Sequence, residues 1–313
     1  MAENAQVVCV GQAVVDCITD CMEDTPYRKN VYRAESISLS VGGDAFNESV
    51  ILSRMGHKVQ IVCCLGQDVA GDIIVSALEG NNVSTDHVAR LSTEHTPVAN
   101  ILLNPMKERQ SVTSRAAALR SYIPSIVGIS GYRVLSLASL FRAPLDKPET
   151  ITELVKQAKR DGAIVCADTK MPTFRQIGMD DIKDALPYID YLFPNENEAA
   201  YFSGQSDYNR MAQAFLDRGV GHVVVKTGAA GCVARSREES FVLPAFPVEA
   251  VDPTGAGDNF AAGFISTLLH SGSFYDCCVF ASATAANSVM AVGTTTGVKN
   301  RQQIEAFLKE NKY

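Results

Sequence analysis

From Arg133 onward, short apolar runs alternate with stretches of helical spacing, and this constrains the fold of the chain more than any other feature. RVLSLAS (133–139), AIVCAD (163–168), YIDYLFPN (188–195) and HVVVK (222–226) read as strands, with helices expected near 147–159 and 180–186. Nearer the N-terminus, VVCV (7–10) and VQIVCCLG (59–66) are continuous apolar runs, and the second leads into a helix from about Val69 to Glu79. Unbroken apolar strands belong to sheets buried on both faces, and strand–helix alternation implies right-handed βαβ units. The expected fold is therefore α/β, a doubly wound, mostly parallel sheet. Its functional loops should follow the carboxyl ends of the strands. With 313 residues, 46 % of them hydrophobic, the chain has enough apolar surface for a large core.

The stretch VDPTGAGDNF (251–260) carries the chemistry. Asp252, Pro253 and Thr254 lead into the turn Gly255-Ala256-Gly257, and the proline-free, small-residue run after Asp258 reads as a helix. Such a turn aims unpaired backbone N–H groups at one point, where the helix dipole attracts an anion. Gly255 and Gly257 let a phosphate approach the backbone. Beside that anion hole an idle carboxylate would repel the phosphate. Asp258 makes sense there as a base that takes the proton of a hydroxyl attacking a phosphoryl group. No Gly-Lys-Ser/Thr closes the string, and Phe260 stands where a dinucleotide fingerprint has its third glycine. A lone Gly-x-Gly turn, however, is an ordinary strand–helix connection.

A second glycine motif comes earlier. Residues 31–41 alternate apolar and polar as a half-exposed strand does, and Gly42-Gly43-Asp44-Ala45-Phe46-Asn47 then runs into a helix ending near Gly56. The glycines admit a polar ligand to the backbone, and Asn47 offers a donor and an acceptor to vicinal hydroxyls. TPVANILLN (96–104) and QSVTS (110–114) flank a turn at Asn104-Pro105-Met106-Lys107, as hairpin strands do. Asp16 follows the first strand, either as a loop carboxylate or as an acceptor for sugar hydroxyls. Asn195 and Glu198 are spaced as a capping box and also as two groups on one helical face that could order the waters of Mg²⁺. Asp168 ends another strand with Lys170 close behind; either could face a triphosphate, although strand-end acids and bases are commonly just solvated.

Taken together, D-P-T-G-A-G-D, the Gly42-Gly43…Asn47 motif and the N-x-x-E of Asn195 and Glu198 resemble the ribokinase-like sugar kinases, the PfkB family, in order and over essentially the whole chain. The resemblance implies one kinase domain (1–313) with a small β-sheet lid from about 12–41 and 96–114, which often also forms a homodimer contact. It implies that Asp16, Gly42, Gly43, Asp44 and Asn47 bind the substrate, with Asp44 at a position that varies among relatives. Thr227, Gly228 and Asp252 would meet ATP, and Asn195 and Glu198 would meet Mg²⁺ through water. The small-residue helix expected at 280–293 either leaves a slot for adenine or packs on its neighbour. Relatives often place monovalent-cation ligands in the following GTTTGV segment, so K⁺ is a further possible cofactor; Gly297, however, stands where some relatives have serine.

The implied reaction is transfer of the γ-phosphate of ATP to a hydroxymethyl group. A carboxylate at Asp44 suits a neutral polyol, so a ribose- or fructose-like sugar is expected. A nucleoside would need an apolar face for its base, and a keto-deoxy sugar acid a cation in the lid, for which Arg33, Arg109 and Arg115 are available. Outside catalysis, the same fold could serve as a silent nucleotide- or sugar-binding regulator, although such a protein has no physical need to keep a base beside an anion hole. A net charge of −7 disfavours nucleic acid as a partner. No run approaches the length of a membrane span, and MAENAQVV does not begin a secretory signal, so a cytoplasmic protein is expected. The odd count of nine cysteines, most inside apolar runs, suits buried thiols better than disulfides, and Cys17 and Cys21 lack a second pair to complete a zinc site.

Overall fold

The computed structural model describes residues 5–20, 31, 33–104, 106, 109–114, 121–173 and 175–312. Cys21 and Arg115 lie outside these, as does the side chain of Arg109. The strands are β1 (Val7–Val10), β2 (Val14–Asp20), β3 (Ser36–Gly42), β4 (Val59–Gly66), β5 (Val83–Leu91), β6 (Val98–Leu103), β7 (Arg109–Thr113), β8 (Val134–Leu140), β9 (Ile164–Thr169), β10 (Tyr191–Leu192), β11 (His222–Lys226), β12 (Cys232–Arg235) and β13 (Ser240–Leu243). The helices are α1 (Asp44–Arg54), α2 (Val69–Gly80), α3 (Pro148–Arg160), α4 (Glu196–Ser203), α5 (Tyr208–Leu216), α6 (Ala256–Leu269), α7 (Phe274–Val289) and α8 (Arg301–Glu310).

Nine strands form the main sheet in the order β13-β12-β11-β10-β9-β8-β1-β4-β5, parallel from β11 to β5 and antiparallel at β12 and β13. Its two faces make two cores, and β1 shows why. Val7 and Cys9 pack into the core with α1, α2, α6 and α7, whereas Val8 and Val10 enter the core with α3, α4 and α5. Period-two side-chain alternation in a strand apolar at every position requires cover on both faces. The chain leaves β1 for β4 on one side and continues from β8 to β11 on the other, so the strand order reverses at β1 and β8. At such a switch point the loops beyond the strand ends splay apart and open a crevice.

The second sheet has the order β3-β2-β6-β7 and matches the expected lid strands. Its register places Ser40, Asp16, Ala99 and Thr113 in one row and Leu39, Cys17, Asn100 and Val112 in the next. Adjacent rows project from opposite faces. One face therefore carries Asp16, and the other carries the exposed apolar side chains of Leu39, Ile37 and Val112 together with Asn100.

Several boundaries differ from the sequence expectation. Residues 179–185 form successive turns leading into a 3₁₀ turn at Leu186–Tyr188 instead of a helix, because Ile182 and Ala185 hydrogen-bond three residues back and Pro187 has no N–H to continue. The strand expected over 188–195 shrinks to Tyr191–Leu192, and that over 31–41 begins only at Ser36. The helix expected at 280–293 starts at Phe274, since Ser273 and Asp276 form a reciprocal capping box, and ends at Val289. Two strands, β5 and β13, are additions: VSTDHVARL is too mixed and SFVL too short to stand out by period. The described cysteines are free and, except for the half-buried Cys17, fully covered. No described helix is long and apolar enough to cross a membrane.

Candidate active site

Gly43 precedes α1 with φ 99°, and an added Cβ would lie 2.7 Å from the carbonyl oxygen of Gln12. Only glycine lets the start of α1 sit this close to the segment leaving β1. The same closeness brings together the residues expected to bind substrate. A Cβ on Gly42 would meet the Asp16 carboxylate at 2.7 Å, so Asp16 lies against the glycine pair. Asp44, on the first turn of α1, accepts a hydrogen bond from Ser139 Oγ at the end of β8. Asp16, Gly42, Gly43, Asp44 and Asn47 thus gather around the start of α1, with Asp44 beside the end of β8 at the switch point.

The glycine turn comes to the same place. Gly255 is the N-cap of α6 in the left-handed conformation, φ 79°, and Asp258 lies in the first turn. Asn47 Nδ2 donates to Asp258 Oδ2 at 2.7 Å, joining positions 211 residues apart. Asn47 Oδ1 accepts from Thr294 Oγ1 at 2.8 Å, and Asn259 Nδ2 donates to the carbonyls of Gly255 (2.8 Å) and Thr294 (2.7 Å). Asp258 is 3 % exposed, and burial pushes its pKa up to about 7, with the Asp44 carboxylate adding to the shift. Lys170 and the Asn47 amide act in the opposite direction. A carboxyl poised near neutrality beside helix-terminal amides has the properties of a general base. The Ala256 N–H donates to Pro253 O at 3.2 Å, while the amide of Gly257 has no acceptor among the described residues.

On the far side of the turn, a Cβ on Gly257 would stand 3.2 Å from Lys226 Nζ. Lys226 donates to Asp168 Oδ2 at 2.5 Å in an ion pair that is almost fully buried. Thr227 and Gly228 follow directly, with Gly228 at φ 56° and open space where its Cβ would be. Asn195 and Glu198 form the capping box of α4. Glu198 Oε2 also accepts from Thr169 Oγ1 at 2.9 Å, and burial together with the Asp168 charge raises the Glu198 pKa. No cluster of three metal-ligating side chains occurs among the described residues. Asn195 and Glu198, already engaged with each other, fit a hydrated Mg²⁺ held through its waters. Asp252 precedes the glycine turn. Its oxygens accept from Thr254 N (3.0 Å) and Gly293 N (2.9 Å), which ties the turn to the loop after α7.

The structure adds Thr294, Lys226 and Ser139 to the site and places Lys170, already a candidate, beside two of its carboxylates. Lys170 Nζ lies 3.5 Å from Asp44 Oδ1 and 4.0 Å from Asp258 Oδ1. For Lys226 a signal existed, a charge closing the otherwise apolar VVVK. Thr294 lies in the GTTTGV segment, but its bond to Asn47 depends on where the loop after α7 passes. Gly297 is packed on backbone: a Cβ there would meet the Asn287 carbonyl and stand 2.8 Å from Ser288 Cα, so the position has no room for a serine hydroxyl.

Comparison with known proteins places this arrangement. A ribokinase from Haemophilus influenzae is 29 % identical over 281 residues, covering 88 % of this chain and 89 % of the relative. A ribokinase structure from Thermotoga maritima superposes with TM-score 0.82 at 26 % identity, covering 97 % of this chain and 99 % of the other. The ribokinase of Arabidopsis thaliana, solved with ribose and ATP, shares the fold with TM-score 0.86 at 24 % identity, covering 98 % and 99 %. The model of the pfkB family of carbohydrate kinases matches residues 4–301, and this chain belongs to that family.

Proposed function

We propose that the chain transfers the γ-phosphate of ATP to a hydroxymethyl group of a small neutral sugar, ribose-like or fructose-like. The observation that carries this reading is Asp258, buried, raised toward neutrality and held by Asn47 at the mouth of a glycine turn. The similarity to ribokinases supports a pentose first. Asp16, Gly42, Gly43, Asp44 and Asn47 hold the sugar so that its primary hydroxyl faces Asp258. The hydroxyl oxygen attacks the γ-phosphorus while Asp258 takes its proton, the bond to the β-phosphate oxygen breaks, and ADP leaves. Backbone N–H groups of Gly255, Ala256 and Gly257 stabilise the charge on the transferred group; for Ala256 this requires its bond to Pro253 to open. Thr227, Gly228 and Asp252 border the nucleotide, and Asp252 also anchors the turn through Thr254 N and Gly293 N. When bound, Mg²⁺ neutralises phosphate charge, with Asn195 and Glu198 holding its waters. The small sheet acts as the lid that excludes water.

The test is ADP release with ATP–Mg²⁺ against ribose, fructose, other free sugars, nucleosides, keto-deoxy sugar acids and phosphosugars. Strong release with a neutral sugar, abolished in Asp258→Asn, is the expected result. Silence across the panel despite ATP binding would point to a regulator that binds without turnover. Repeating the assay with potassium replaced by tetramethylammonium checks for a K⁺ requirement. The reading places the enzyme in the cytoplasm, as a homodimer joined through the face of the lid where Ile37 and Leu39 are 69 % and 60 % exposed. Leu39→Asp puts a charge into that contact and is expected to shift the light-scattering mass from dimer to monomer. An unchanged dimer would exclude this face as the contact.

A further inference from the structure

Lys170 stands where two acids converge. It follows β9, and its N–H donates to the Leu140 carbonyl at 3.0 Å, which fixes it beside the end of β8. Its ammonium is 3.5 Å from Asp44 Oδ1 and 4.0 Å from Asp258 Oδ1, on a side chain 32 % exposed, against 4 % for Asp258. Asp258 Oδ2 is taken by Asn47 at 2.7 Å. The distance from Lys170 to Oδ1 exceeds that of a hydrogen bond, so the ammonium contributes charge while Oδ1 stays open to a hydroxyl.

The charged groups that face Asp258 come from α1, β9, β11 and the segment just after β9. Asp44 on α1 and Asp168 on β9 repel its ionised form, and Lys170 favours it. Glu48, fully buried on α1 with Ser136 Oγ donating to one of its oxygens at 2.5 Å, also senses the Asp258 charge. Lys226 on β11 is held by Asp168 at 2.5 Å, on the Gly257 side of the turn. Lys170 is therefore the cation that Asp44 and Asp258 share.

We propose that Lys170 is a positioning residue for phosphoryl transfer, whose ammonium balances Asp44 and Asp258 so that Asp258 can work as a base beside a second carboxylate. This inference rests on the assignment of Asp258 as the base. With a neutral side chain at 170, Asp258 is left facing Asp44 uncompensated and holds its proton to higher pH. A protonated Asp258 accepts nothing from the hydroxyl, so turnover falls at neutral pH and recovers as the pH rises.

Two readouts test this, one of them independent of turnover. In the free enzyme with ¹³C-labelled aspartate, the Asp258 carboxyl resonance is identified by its loss in Asp258→Asn and followed against pH by NMR. In Lys170→Met its midpoint is expected to rise by about one to three pH units, as loss of a near opposite charge predicts. The acid limb of kcat/KM should move with it. Lys170→Arg should restore both, and Asp44→Asn added to Lys170→Met should bring the midpoint back down. Lys170→Gln, similar in length and polar, reads the same resonance should the methionine variant fail to fold. An Asp258 midpoint unmoved in a folded Lys170→Met or Lys170→Gln protein overturns the proposal. If Asp258→Asn instead keeps its turnover, the base assignment fails while the titration still reports on the charge balance.

Discussion

Replacing Asp258 with asparagine is expected to lower kcat by about 10²–10⁴-fold, the usual contribution of a positioned general base. The substitution preserves size, and the side chain stays in the same buried place at the start of α6. What it removes is the ability to take the hydroxyl proton. Binding of ATP–Mg²⁺, measured calorimetrically, is expected to persist, because the amides of the turn are untouched and a charge that repels phosphate has gone. Loss of nucleotide binding with unchanged turnover per occupied site would contradict the role. The intact enzyme should also show kcat/KM rising with pH through about 7, since the base works only when deprotonated and its pKa is raised to about 7.

The second large effect is expected from Gly255→Ala. Gly255 has φ 79°, a conformation that costs a residue with a Cβ about 1–2 kcal/mol. The new Cβ would also stand 2.9 Å from Thr294 Cβ and 3.1 Å from its backbone, so the loop after α7 must move. Thr294 donates to Asn47, and Asn47 donates to Asp258, so that movement reaches the base through two hydrogen bonds. We expect kcat to fall by about 10–100-fold, since displacing a reacting group by about an ångström costs on this order. The midpoint of thermal unfolding should drop by several degrees, at about 2–4 °C per kcal/mol for a chain somewhat smaller than this one. A variant with lowered thermal stability but full kcat would show that Thr294 does not steer Asp258.

Much of this protein is legible in its linear order. The buried strands announce themselves by continuous apolar runs, and β4 ends where its sequence run ends, at Gly66. Gly43 and Gly255 mark turns because positive φ is accessible to glycine at little cost, a property of one residue and its neighbours. The capping box legible in the spacing of Asn195 and Glu198 forms as well.

Errors arose where local pattern and long-range pairing part. Residues 179–185 have helical composition, yet the chain turns repeatedly there and reaches only a short 3₁₀ turn before Pro187. Lys170 resembles any strand-end lysine until Asp44 and Asp258 are brought beside it from 126 and 88 residues away in numbering (170 − 44 and 258 − 170).

By itself, then, the sequence determined the alternation of strands and helices, the two glycine turns and the placing of Asp258, the proposed base, just after the second of them, because periodicity and backbone freedom act over a few residues. Only the tertiary structure decided which groups share that base. The Asn47 bond, the Lys170 charge and the Thr294 brace each depend on how α1, β9 and the loop after α7 converge at the switch point. Packing of segments distant in the chain sets those side-chain directions, and no local pattern encodes them.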